Sequence, residues 1–209
     1  MSGAVFLYRD RGTLRATSLD VTVPPAEEPV GLPVVKQHLR LDTDVDDTLL
    51  TTYATVARMM VESYLNRVLV TQTLTWTVQE VDPRRTEALL WMPTTLELPR
   101  GKVQSVTSVT TRDATGADTV LDPSNYTVDL NLAPARLRVT YGSVVGEVMH
   151  VQIVYVAGYG AAADVPPPIQ QAILIMTTFM YENRGDTDGE LPRAVEWLCD
   201  PYRIHSFGG

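Results

Sequence analysis

The chain has 209 residues, 44% of them apolar, a single cysteine (Cys199) and a formal charge of −8, which is length enough for a real core in one large domain or two small ones. An internal disulfide is excluded, which suits a reducing cytoplasm; no apolar run nears the roughly 18 residues of a membrane span, and Met1–Asp10 lacks the basic flank and apolar stretch of a signal peptide. Non-specific DNA binding rests on neutralising phosphates with Lys and Arg, and here those residues are scattered, as at Arg9, Arg84 and Arg136, so weak affinity is expected.

Met1–Gly31 shows no sustained helical period and reads as an N-terminal arm or extension. Val21 and Val23 alternate with polar neighbours, which predicts a short strand or extended segment, and Pro24, Pro25 and Pro29 interrupt it. From Pro33, tolerated in a first helical turn, Val34, Val35, His38, Leu39 and Leu41 recur at helical spacing. Asp42-Thr-Asp-Val-Asp-Asp47 breaks this helix and supplies caps for the next. There Leu49, Leu50, Tyr53, Val56, Ala57, Met60, Val61, Tyr64 and Leu65 form one apolar stripe with a period near 3.6, stopped at Asn66.

Between Val68 and Tyr159 the period becomes two. Leu74, Trp76 and Val78 alternate with polar residues, as do Leu137, Val139 and Tyr141, and Val151, Ile153 and Tyr155. Turn signals at Asp113–Gly116, Asp122–Asn125, Leu132–Pro134 and Tyr141–Gly142 separate short antiparallel strands. Helix returns after Val165, with Pro166–Pro168 at its start and Ile169, Ala172, Ile173, Met176, Phe179 and Met180 as its stripe; Gly185 ends it. A short helix is expected over Arg193–Cys199, and residues 201–209 read as a tail. The fold class is therefore α+β: a small helical bundle, built from residues 32–67 and 165–200, with an antiparallel β module, sandwich- or barrel-like, inserted over residues 68–160.

No motif points to chemistry. Asp42, Asp44 and Asp46 open like a calcium loop, but Asp47 and Tyr53 stand where that loop needs a glycine and a carboxylate. Gly158-Tyr-Gly160-Ala-Ala-Ala163 mimics a dinucleotide fingerprint, yet Asp164 and three prolines precede the helix that should receive the pyrophosphate. Gly142-Ser143-Val-Val-Gly146 is not a nucleophile elbow. His38, His150 and His205 lack ligand partners at metal spacing, and Arg184-Gly185-Asp186 reads as a helix-ending loop. No catalytic residue, cofactor or metal is assigned.

Three stretches resemble a known family. Val35-Lys36-Gln-His38-Leu39-Arg40-Leu41, the acidic turn Asp42–Asp47 and then Leu50, Tyr53, Ala57, Val61, Glu62 and Tyr64 form the first. Val165-Pro166-Pro-Pro-Ile169-Gln-Gln-Ala172-Ile173-Leu174 with Tyr181-Glu182-Asn183-Arg184 is the second, and Leu191-Pro192 through Leu198 with Pro201-Tyr202-Arg203 the third. In order and separation these resemble phage head–tail connector (adaptor) proteins of the gp6-like and phiE125 gp8-like kind, also found in gene transfer agents.

The resemblance covers roughly Val21 to Arg203. It implies a structural subunit of a virion neck, not an enzyme, assembled in the host cytoplasm. It implies a ring of about twelve copies beneath a portal protein, with a head-closure or tail protein below and genomic DNA passing through the channel. Leu50, Tyr53, Ala57, Tyr64, Ile169, Ala172, Ile173, Met176, Tyr181 and Arg184 are the expected bundle and subunit-contact positions. Tyr202, Arg203, His205 and Phe207, aromatic and basic on a chain end too short to pack alone, are expected to dock on the portal. The alternatives are a head-closure or tail-completion protein of the same neck, or a small hydrolase or carbohydrate-binding module on the β block. The last would show a deep polar pocket with convergent acid and base groups.

Overall fold

In the computed structural model, which describes residues 5–10, 13–80, 95–140, 148–184 and 191–204, the chain forms two units. One is drawn from Pro25–Thr71 and Gly158–His205; the other takes the chain up to Pro24 and Gln72–Ala157. The mixture is α+β, as expected from the change of period along the sequence.

The first unit is helical: α1 (Leu32–Leu39), α2 (Asp47–Leu65), α3 (Pro167–Asn183) and α4 (Arg193–Cys199). Proline opens α1 and α3, where a missing N–H has no intrahelical partner to lose. Arg40, Asn66 and Arg184 close α1, α2 and α3 in the left-handed conformation, at φ 56°, 53° and 46°. The apolar stripes meet in one core: Leu50, Ala57 and Val61 from α2, Ile169, Ala172, Ile173 and Met176 from α3, and Val195 and Cys199 from α4, each 2% exposed or less. Full burial of each larger aliphatic side chain contributes about 1.5–3 kcal/mol.

Gly158 and Gly160 complete this unit. The Tyr159 amide donates to the Leu69 carbonyl at 2.7 Å and the Thr71 amide to that of Gly160 at 2.9 Å. Gly158 sits at φ 130°, and a Cβ there would lie 2.8 Å from the Val70–Thr71 peptide. The glycines that mimic a dinucleotide fingerprint thus serve close backbone packing against Val70.

The second unit is antiparallel β. A six-stranded sheet runs β1 (Val5–Asp10), β2 (Thr13–Val23), β3 (Gln72–Glu80), β9 (Val148–Ala157), β5 (Val103–Asp113), β6 (Asp118–Val120) in spatial order. A three-stranded sheet runs β4 (Thr95–Glu97), β8 (Arg136–Val139), β7 (Tyr126–Asp129). The period-two reading holds where it was cleanest. Val151, Ile153 and Tyr155 are fully buried on one face of β9, and Leu137 and Val139 on one face of β8.

The N-terminal arm differs from expectation. Over residues 5–10 and 13–23 it is two strands of the large sheet, with β2 in register against β3 from Arg15↔Glu80 to Val21↔Leu74. Main-chain pairing, which the mixed Thr and charged composition does not advertise, incorporates it. The turn expected at Tyr141–Gly142 and the Gly142–Gly146 stretch lie outside the described residues.

Candidate interaction surfaces

Within the helical unit, α2 carries the charges beyond its first residue on the inside. Arg58 and Glu62 are both 7% exposed. The Arg58 Nε donates to Glu28 Oε2 at 2.7 Å and its Nη1 to Glu62 Oε2 at 2.8 Å. The Leu69 amide donates to Glu62 Oε1 at 2.8 Å, and Thr55 Oγ1 to Glu28 Oε1 at 2.9 Å. This network ties the segment before α1 and the loop after α2 to the middle of α2. Glu62, one of the residues that carry the family resemblance, therefore has a structural role that spacing alone did not reveal.

The acidic turn before α2 is held by its neighbours. Lys36 pairs with Asp44 and, at 2.9 Å, with Asp47. These hydrogen bonds raise the Lys36 pKa, and Lys36 holds the Asp44 carboxyl below its usual range. Asp46 stands at the α2 N-cap position but makes no side-chain cap there; its Oδ2 accepts from the Tyr181 hydroxyl at 2.7 Å, joining the turn to α3. That contact pushes the Tyr181 hydroxyl up in pKa. Among the described residues no group of three His, Cys, Asp or Glu side chains could hold a metal ion.

Residues 200–204 are clasped onto the end of α2. The Tyr64 hydroxyl donates to Asp200 Oδ1, and the Arg203 guanidinium lies 4.5 Å from the centre of the Tyr64 ring. Arg67 Nε donates to the Tyr202 carbonyl, and the Ile204 amide to the Leu65 carbonyl at 3.0 Å, with Ile204 buried. The Asp200 contact raises the Tyr64 pKa. Tyr202 and Arg203 are thus parts of a clasp, while His205 and Phe207 lie outside the described residues. Burial, reinforced by Asp200, pushes the Cys199 thiol up to about 11, so it is inert at neutral pH.

Of the expected bundle positions, Leu50, Ala57, Ile169, Ala172, Ile173 and Met176 are buried in this unit's own core. Tyr53, Tyr64 and Tyr181 are half-buried and Arg184 is exposed. An open groove of about 280 Å³, lined by Met60, Ser63, Tyr64 and Leu191, flanks α2; its lining brings together no acid–base pair. Met59 and Trp197 are the large apolar side chains that α2 and α4 leave to solvent, 57% and 74% exposed. No helix among the described residues is long and apolar enough to cross a membrane.

Residues 31–112 match the family described as phage gp6-like head-tail connector protein, which bears out the resemblance read in the sequence. No curated protein matches the chain. In fold, the chain is similar to one in the neck of an empty gene transfer agent particle computed with C6 symmetry, with a TM-score of 0.70 and 21% identity over 91% of this chain and 98% of that one. It is similar to a chain of the virion of a native gene transfer agent particle (TM-score 0.68, 21% identity, the same coverage). A chain in the neck of the native particle, computed with C12 symmetry, gives a TM-score of 0.65 at 20% identity, again over 91% and 98% of the two chains. Neither the matched family nor these structures is described as an enzyme.

Proposed function

Starting from the head-tail connector match over residues 31–112, we propose that this chain is a structural adaptor in the neck of a tailed phage or phage-like particle. It forms a ring beneath the portal, bridges portal to head-closure or tail proteins, and surrounds the path of the genome. The observation that carries the reading is the fold shared over 98% of a chain in a neck computed with C6 symmetry, together with the connector match. Rotational symmetry of the related necks supports a ring, about twelve copies in the C12 case. Heterologous contacts that close make such rings. A chain of charge −8 also suits a DNA channel, since like charge discourages the duplex from sticking. The place of action is the virion neck, reached after synthesis in the host cytoplasm.

A hydrolase on the β block is not favoured. The groove lined by Met60, Ser63, Tyr64 and Leu191 is open and lies in the helical unit, and no convergent acid and base face it. A head-closure or tail-completion protein remains the alternative within the same neck.

The C-terminal segment is the proposed portal-docking element. Because Tyr202 and Arg203 belong to the clasp on α2, the docking contacts fall chiefly to His205 and Phe207. Truncation after Ile204 keeps the clasp and removes the segment. The truncated chain should fold with unchanged thermal stability and lose binding to purified portal in a pull-down. Equal binding by the full and truncated chains would contradict the docking assignment, and no binding by the full chain would contradict the adaptor.

A further inference from the structure

The outward face of α2 carries no charge, in a chain whose net charge is −8. Between Thr48 and Ser63 the charged residues are Arg58 and Glu62 alone, and both are turned inward into the Glu28 network. The positions exposed to solvent are Thr48, Thr51, Thr52, Met59 and Ser63. The solvent face of a helix in a soluble protein ordinarily holds its charged residues; α2 inverts that arrangement.

Two hydroxyls of this face are also already engaged. Thr51 Oγ1 donates to the Asp47 carbonyl at 2.8 Å and Thr52 Oγ1 to that of Thr48 at 2.9 Å. Covering Thr51 and Thr52 with protein therefore leaves neither donor without a partner, which lowers the desolvation cost. Met59 adds apolar area, and the groove lined by Met60, Ser63, Tyr64 and Leu191 continues it toward the C-terminal end of the helix.

We infer that this face receives a second copy of the same chain, and that α2 is one side of the subunit contact in the proposed ring. The inference rests on that ring reading. Charge selects the occupant. DNA finds no Lys or Arg on the face to neutralise its phosphates, and a strongly basic protein finds only the Glu28 carboxylate beside Thr55, already paired with Arg58. Copies that each carry −8 repel at a distance, and they approach at least cost across a surface with no unpaired charge. The contact is heterologous: α2 meets a different patch of its neighbour, as a closed ring requires.

The test places a photo-cross-linking amino acid (benzoylphenylalanine) at Met59 in the host that produces the particle, irradiates purified particles and identifies the adducts by mass spectrometry. The expected product joins two copies of this chain. An adduct with another particle protein, or none while the chain is present in the particles, overturns the assignment of this face and leaves the neck reading standing. Absence of the chain from particles overturns both. As a second readout, Met59→Glu, checked as folded by circular dichroism, should enter particles about tenfold less than wild type, a charge buried without a partner being worth at least that factor. Incorporation equal to wild type would overturn the inference.

Discussion

In the helical unit Arg58 and Glu62 lie 7% exposed and hydrogen-bonded to Glu28 and the Leu69 amide. In the β unit Arg112–Asp118 and Arg136–Glu97 pair across strands with between 43% and 51% of each side chain in solvent. The same residue types do different work in the two places. The buried set fixes how two loops grip α2 and leaves the outer helix face without charge. The exposed pairs keep the strands soluble and are screened by water and salt. A count of ion pairs would treat them alike; burial and partner number separate them.

The comparison can be broken most sharply at Arg58. Arg58→Ala leaves Glu62 buried beside an empty site and should cost about 3–5 kcal/mol of stability, read by urea unfolding. Replacing Arg58 and Glu62 together by Met and Leu should cost much less, because no uncompensated charge stays inside. If the single and double changes cost the same, the network is not what matters there. In the β unit the buried polar contact to test is Tyr155, which is fully buried and donates to the Pro99 carbonyl at 2.7 Å. Tyr155→Phe should cost about 1–2 kcal/mol, since that carbonyl loses its partner.

A smaller effect follows from pH. Tyr64 and Tyr181 each donate to a carboxylate, which raises their pKa values above the ordinary 10.0. Groups raised on folding contribute fully below the unfolded value, and the contribution is lost as pH rises through the folded value. Ultraviolet titration should therefore show both tyrosines ionising later than an exposed tyrosine, and Tyr64→Phe should remove one late step. The smallest change is expected at Arg136→Ala, within about 0.5 kcal/mol, because its pair with Glu97 is exposed.

The helical elements were legible because their stripes are long and their ends are marked: Pro33 and Pro166 at the starts, Asn66 at a stop. The acidic turn was legible as a helix start but not in its bonding, since Asp46 turns to Tyr181, 135 residues away, and no local pattern reports such a partner. The strand at Thr13–Val23 was underread because β propensity reflects cross-strand neighbours, here β3, more than the residues themselves. For the proposed sites, aromatic and basic content drew attention to Tyr202 and Arg203, whereas the clasp that holds them depends on Tyr64 and Arg67. The charge-free face of α2 lies in plain sight as a run of Thr and Met, but reads as a surface only once Arg58 and Glu62 are known to point inward.

Electron cryomicroscopy of the neck of purified particles tests the central claim most directly. The account predicts density for this chain in a closed ring directly under the portal, with helix α2 between adjacent copies. A neck ring built from other chains, or this chain seated elsewhere in the particle or missing from it, would contradict the account.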